Sequence, residues 1–202
     1  MSKRRAALKA ALARAGVKDV FRGVLDHGGD RGQMLQELQA QRKAVYEISG
    51  VANDPGIEAI SEGQMRGSEW DLILSCHVLE HLTFPGEFVS DLASLGCRGT
   101  IYYIEVPDEA VPRCRFNSTD LQHRWLEWLI KHPNTFKLFD LLSTGIRARL
   151  GVALPLMFFP LREHLTFFTV SGLKSLLAKK GLSVITGEVL ETGHIGIVAV
   201  KR

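Results

Sequence analysis

Arg22-Gly23-Val24-Leu25-Asp26-His27-Gly28-Gly29-Asp30-Arg31-Gly32-Gln33-Met34-Leu35, with Ala44-Val45-Tyr46-Glu47-Ile48 shortly after it, is the stretch that decides the fold. A short apolar run ends in an aspartate and enters a tight glycine loop. The spacing predicts a helix over residues 33–39 and then a second strand, 44–48, that ends in an acid. An α/β fold builds a nucleoside-binding crevice in this way. Gly28, Gly29 and Gly32 let the backbone turn sharply and approach a ligand without a Cβ in the way. Glu47 stands 19 residues beyond Gly28, placed to accept both hydrogen bonds of a ribose diol. The glycines do not follow the dinucleotide spacing G-x-G-x-x-G, which disfavours a nicotinamide-dependent oxidoreductase. Asp30 occupies a position where glycine is expected. Aspartate tolerates positive φ better than most residues, but its carboxylate could crowd and repel a ligand carboxylate.

Working outward, 202 residues with 46% hydrophobic content suit one globular domain, 1–202, with a sizeable core. A formal charge of +3 is too small to imply nucleic acid. Lys3, Arg4, Arg5, Lys9 and Arg14 lie in an alanine-rich N-terminal segment, 1–19, that reads as a basic helix, solvated rather than binding. Cys76, Cys97 and Cys114 are odd in number and not closely paired, and no apolar leader precedes a cleavage site, so a reducing cytoplasm is expected. The longest apolar run, 151–161, is too short for a bilayer, which takes about 20 residues. Arg147, Arg149 and Arg162 flank it and allow shallow contact with a membrane or a lipid-linked substrate, although burial as a lid or core segment is the favoured reading. Nothing in the sequence fixes an oligomeric state.

Strand-like runs fall at residues 23–26, 44–48, 71–75, 100–106, 183–190 and 195–200, with a short additional one at 57–60. Helical patterns fit 33–39, 86–95, 118–131 and 170–180, and Gly96 and Gly181 stand where helix C-caps favour glycine. Alternation of strands and helices predicts a Rossmann-like, doubly wound, mostly parallel α/β sheet. The last two strands differ. Only Glu191-Thr192-Gly193-His194 separates them, too little for a parallel crossover, so a C-terminal antiparallel hairpin is expected. Residues 107–163 break the rhythm. They are rich in aromatic and basic side chains (Arg113, Arg115, Phe116, His123, Arg124, Trp125, Trp128) and follow a strand whose carboxyl end faces the expected crevice, so a helical lid insertion is expected.

These elements together resemble the class I S-adenosylmethionine-dependent methyltransferases, in particular a small-molecule and sugar methyltransferase-like subgroup. Asp26, Gly28 and Gly32 match D-x-G-x-G-x-G, with Asp30 departing, and Glu47 matches the acid of the second motif. Trp70-Asp71-Leu72-Ile73-Leu74-Ser75-Cys76-His77-Val78-Leu79-Glu80-His81-Leu82 looks like the fourth strand with its V-L-E-H element, followed by Pro85. Gly99-Thr100-Ile101-Tyr102-Tyr103-Ile104-Glu105-Val106-Pro107 is similar to the fifth strand, and Glu163-His164-Leu165-Thr166-Phe167-Phe168 to an E-H-x-x-F-F segment. The resemblance spans roughly residues 20–202 and implies S-adenosylmethionine as cofactor, contacted by Asp26, Gly28, Gly29, Gly32, Glu47, Ile48 and His77.

The methyl group of that cofactor is already activated, so catalysis reduces to alignment, plus a base where the nucleophile is a hydroxyl. His81 and His164 are the candidate bases, since imidazole titrates near neutral pH, and Glu80 could orient one of them. The implied reaction is methyl transfer, most naturally at oxygen, to a small-molecule or glycan-type acceptor. The other reading is a non-catalytic relative whose cofactor site is weakened by Asp30. His77-Val78-Leu79-Glu80-His81 also spells H-x-x-E-H, a zinc signature when helical, but it lies just after a buried strand and has no third-ligand helix. No metal ligands are assigned on this basis, though Glu80 and His81 beside the substrate leave a divalent ion open.

Overall fold

The computed structural model describes residues 1–50, 53–108, 124–125, 127–129, 131–150 and 164–202. The chain divides into two compact units, Met1–Glu109 with His164–Arg202, and Ala110–Glu163. The first carries a seven-stranded sheet: β1 (Val20–His27), β2 (Gln39–Tyr46), β3 (Glu58–Ala59), β4 (Leu72–Cys76), β5 (Ile101–Pro107), β6 (Leu182–Val189) and β7 (His194–Lys201). Their order is β3-β2-β1-β4-β5-β7-β6. β1 to β5 pair in parallel, while β7 runs antiparallel to both β5 and β6. This is the expected doubly wound sheet closed by a hairpin. β4 is buried along its whole length, as a strand covered on both faces must be.

On one face lie α2 (Glu62–Arg66), α3 (Pro85–Ser94) and a C-terminal helix, Val170–Lys179. Leu92, Ala93, Leu173 and Leu177 bury there against Leu25, Ile73, Tyr102 and Ile197. On the other face lies α1 (Ser2–Arg14). Leu8, Ala11 and Leu12, at i, i+3 and i+4, pack with Val24, Leu72, Tyr103 and Val198. The N-terminal helix is therefore a packed layer of the core rather than a solvated cap. Its alanines conceal a narrow apolar stripe among basic residues.

The segment after the glycine loop departs most from expectation. In place of a helix over 33–39, a single 3-10 turn, Gln33–Leu35, leads within a few residues into β2. Gly32 takes a left-handed φ of 77°, and too few residues remain before Gln39 for two helical turns. β2 begins five residues earlier than expected, in a polar stretch. Only Ala44 and Val45 pair outward with β3, so its first half is an edge strand that tolerates charge. Arg42 there reaches Glu58 Oε2 at 2.8 Å and stacks 5.0 Å from the Trp70 ring centre. α2 went unforeseen, although Ser61 and Gln64 form a capping box at its start. Gly181 takes the left-handed φ of 81° expected past a helix end. Gly96 does not. A Cβ there would overlap the Tyr102 hydroxyl, so this glycine serves close packing.

In the second unit residues 124–125 and 127–129 are helical, followed by α4 (Pro133–Leu150); Val170–Lys179 is accordingly α5. The rest of the expected helix over 118–131 and the apolar run 151–161 lie outside the described residues. No helix among the described residues is long and apolar enough to cross a membrane.

Candidate active site

The carboxyl ends of β1, β2, β4 and β5 bring the candidate residues to one edge of the sheet. Asp26 and His27 end β1, and Gly28 closes onto β2 through its N–H to the Tyr46 carbonyl at 2.9 Å. Gly28 has φ 75°, and a Cβ there would come within 2.6 Å of Val78. A Cβ at Gly29 would overlap the Asp26 carboxyl. These glycines are needed first to let the loop fold over Asp26 and against the residues that follow β4.

Asp30 sits at φ 51°, the left-handed region that aspartate tolerates. Its side chain is exposed and accepts a hydrogen bond from Gln33 Nε2 at 2.8 Å. Its backbone N–H donates to Glu47 Oε2 at 3.1 Å, while Ser49 N–H donates to Glu47 Oε1 at 3.0 Å. Glu47, one residue past the end of β2 rather than on it, is thereby held between two backbone donors. Each carboxylate oxygen keeps a second lone pair for a ligand hydroxyl. Ile48 beside it is 87% exposed, an apolar surface with no protein cover.

Asp26 is fully buried, and neither of its oxygens has a hydrogen-bond partner among the described residues. Burial pushes its carboxyl up to about 7, with the Arg4 charge pulling the other way. Burial lowers the pKa of His27 next to it, whose ring is packed edge-on between Tyr46 and Phe88.

His77 follows β4 at φ 59°. Its Nδ1 lies 3.0 Å from Glu80 Oε1 and its Nε2 3.3 Å from Glu105 Oε1. The two carboxylates, Glu105 foremost, raise the imidazole to about 9 against the cost of burial. Burial alone would raise Glu105, but His77, the Tyr103 hydroxyl at 2.7 Å and Arg4 Nε at 2.7 Å outweigh it and hold it at about 2. His194, the first residue of β7, sets its ring edge-on to His77 with centroids 4.7 Å apart. Arg4, Glu105 and His194 escaped the sequence reading. Glu105 alone left a signal, an acid inside an otherwise apolar strand.

Leu79–His81 is a 3-10 turn, so H-x-x-E-H does not form the helical face that the zinc signature requires. Instead His81 and His164 meet edge-on, ring centroids 5.0 Å apart, with the 99%-buried Glu80 beneath. The backbone holds them together: Leu165 and Thr166 donate N–H to the Glu80 carbonyl at 2.7 and 3.0 Å, and the Thr166 hydroxyl donates to the Leu82 carbonyl at 3.0 Å. All ten candidate residues named from the sequence, Asp26, Gly28, Gly29, Gly32, Glu47, Ile48, His77, Glu80, His81 and His164, thus lie at or beyond strand ends or on the segments joined to them. They form two groups, one around Asp26, Gly28 and Glu47 and one around Glu80, His81 and His164, with His77 reaching Glu80 from between them.

The pattern of the family described as "Methyltransferase domain" matches residues 1–186. No curated protein sequence matches significantly. Several solved structures share the fold. The putative methyltransferase of Haloferax volcanii, solved in complex with the Trm112 methyltransferase activator, is 13% identical with a TM-score of 0.57, over 99% of this chain and 91% of that one. Magnesium protoporphyrin IX methyltransferase of Synechocystis PCC 6803, with S-adenosylhomocysteine bound, is 14% identical with a TM-score of 0.54, over 98% and 82%. The 1,6-didemethyltoxoflavin-N1-methyltransferase of Burkholderia thailandensis is 13% identical with a TM-score of 0.57, over 99% and 78%.

Proposed function

The chain belongs to the methyltransferase-domain family, with the class I S-adenosylmethionine-dependent fold, and from that premise we propose methyl transfer to the hydroxyl of a small-molecule or saccharide acceptor. The residues present fit the cofactor. The Asp26 carboxylate, unpaired among the described residues, is buried where a cationic group would neutralise it. Glu47 is oriented by two backbone donors for a ribose diol, and Ile48 offers apolar surface to a base. Bound there, S-adenosylmethionine would supply a methyl group on a cationic sulfur. The remaining chemistry belongs to the protein. The loop Gly28–Gly32 and Glu47 orient, and His77 with Glu105 and Arg4 fixes the charge at the floor of the crevice.

The observation that carries oxygen as the acceptor atom is the Glu80–His81–His164 group. An amine nucleophile can attack unaided once neutral, whereas a hydroxyl gains from a proton acceptor or another activating group. Two imidazoles backed by a buried carboxylate provide one. The neighbours in fold include methyltransferases of a porphyrin and of a toxoflavin precursor, which is in keeping with a small acceptor. The aromatic unit Ala110–Glu163, in which Trp125 stacks on Trp128 at 5.4 Å, is our candidate for acceptor selection. The free cysteines Cys76 and Cys97 suit a cytoplasmic setting.

The test is transfer of labelled methyl from S-adenosylmethionine to panels of sugars, sugar phosphates and phenols, with titration calorimetry for the cofactor. Replacing His81 or His164 by alanine should abolish most transfer and leave cofactor affinity unchanged. Replacing Arg124 and Trp125 together should weaken acceptor binding alone. Failure to bind cofactor at millimolar concentration would overturn the reading, and transfer to amines but never to hydroxyls would overturn its choice of oxygen.

A further inference from the structure

We propose that Glu80, His81 and His164 form a site for one first-row divalent transition-metal ion, which binds the acceptor hydroxyl directly. The inference rests on the methyl-transfer reading and refines the part played by the two imidazoles, from proton acceptors to ligands.

Three observations carry it. Each of the three residues offers one ligand atom, and all three atoms lie within 4.8 Å of one another, so modest side-chain rotation would gather them around one ion. Glu80 is 99% buried; His77 Nδ1 reaches its Oε1 at 3.0 Å, while Oε2 has no hydrogen-bond partner among the described residues. A carboxylate held that deep needs compensation. His77 approaches only Oε1, and it shares its charge with Glu105 on its other side. Finally, the site is preorganised by backbone. Glu80 and His81 sit in one 3-10 turn, and the segment carrying His164 is pinned to that turn by the hydrogen bonds from Leu165, Thr166 and the Thr166 hydroxyl.

The second His-and-acid group, His77, Glu105 and His194, is a poorer site. Glu105 already holds Arg4 and Tyr103 at 2.7 Å each, and a bound ion would meet the guanidinium at close range. Among the described residues, Glu80 meets no such guanidinium.

The donor set specifies the ligand. Two imidazole nitrogens and one carboxylate oxygen suit zinc, iron(II), cobalt(II) or manganese(II) rather than magnesium or calcium, which favour all-oxygen shells. Three protein ligands leave positions open, as in catalytic rather than structural sites. An acceptor hydroxyl taking one of these becomes more acidic and releases its proton to solvent. Its oxygen then forms the new bond to the methyl carbon as the carbon–sulfur bond breaks, and the sulfur keeps that electron pair as a neutral thioether.

The probe is cobalt(II) added to the full chain. One equivalent should bind and give visible d–d absorption; zinc should displace it and magnesium should not. Glu80→Gln and His164→Ala should each weaken cobalt binding about tenfold or more, while S-adenosylmethionine affinity of His164→Ala, measured in parallel, stays unchanged and reports intact folding. Absence of stoichiometric cobalt binding by the unaltered chain would overturn the metal site, as would undiminished binding by the His81→Ala/His164→Ala double variant. Either result, with cofactor affinity intact, leaves the methyltransferase reading standing; loss of cofactor binding in the unaltered chain would strike that reading instead.

Discussion

At the amino-terminal edge of the sheet, Arg22 Nη2 reaches Asp71 Oδ1 at 2.8 Å, the Trp70 indole donates to the Met65 carbonyl at 3.0 Å, and the Thr100 hydroxyl donates to the Trp70 carbonyl at 2.8 Å. Lys201 closes the same edge by donating to the Ala93 and Gly96 carbonyls, both at 2.8 Å. At the carboxyl edge of the same strands, both Asp26 oxygens, Glu80 Oε2 and His194 Nδ1 are buried polar atoms with no hydrogen-bond partner among the described residues. One end of the sheet completes its own hydrogen bonding; the other leaves buried polar groups unpaired among the described residues. Buried polar groups are normally paired, so the contrast sets apart the edge that carries the candidate site.

The comparison breaks most severely at Glu105. Glu105→Gln leaves Arg4 and His77 without their common anion, and breaking such a buried pair costs about 3 kcal/mol or more. Urea unfolding at neutral pH should show that loss. Asp71→Asn at the opposite edge should shift the midpoint far less, because its ion pair is mostly exposed. Equal shifts would erase the distinction between the edges.

Asp26 sharpens the comparison through pH. Between its ordinary value near 3.8 and the raised value of about 7, the unfolded chain has released a proton that the native chain still holds. Stability of the free protein should therefore fall as pH rises across that window and level off above it, by at most about 4 kcal/mol. Asp26→Asn should flatten this profile. Cofactor affinity should move the opposite way, rising as pH approaches about 7, because the cofactor's positive charge favours the ionised carboxylate. A flat affinity profile in the unaltered protein would remove Asp26 from the cofactor's partners.

Glu47→Gln should weaken the cofactor about tenfold, the scale of a lost charge-assisted hydrogen bond, measured by calorimetry. Asp30→Gly is expected to be the mildest change. It relaxes a positive φ and leaves the backbone N–H to Glu47 in place, so cofactor affinity should change by less than about threefold. A large gain would mean that the Asp30 carboxylate does repel the ligand.

Sequence patterns exposed the sheet and its hairpin because both depend on local signals: apolar runs for buried strands, and a loop too short for a crossover. They failed where tertiary packing decides. The polar first half of β2 carries no strand pattern until its edge position is known, and α1 resembles a solvated helix until its apolar stripe meets the sheet. Within the site, Asp26, Gly28, Glu47 and the V-L-E-H element were legible because they cluster at strand ends in the sequence itself. Arg4 and His194 were not. They reach Glu105 and His77 from opposite ends of the chain, and only the fold makes them neighbours.

The placement of β7 between β5 and β6 also bears on how the protein is made. During synthesis β1 to β5 leave the ribosome long before their last neighbour exists, and β5 must keep an apolar, unpaired edge until residues 194–201 arrive. Adding the β6–β7 hairpin to the open edge of β5 is a long-range step, slow by the rule that distant contacts fold last. His194 travels with that strand. The carboxyl edge is therefore completed only when this last strand pairs, and until then β5 presents an open edge of the kind that invites wrong pairing.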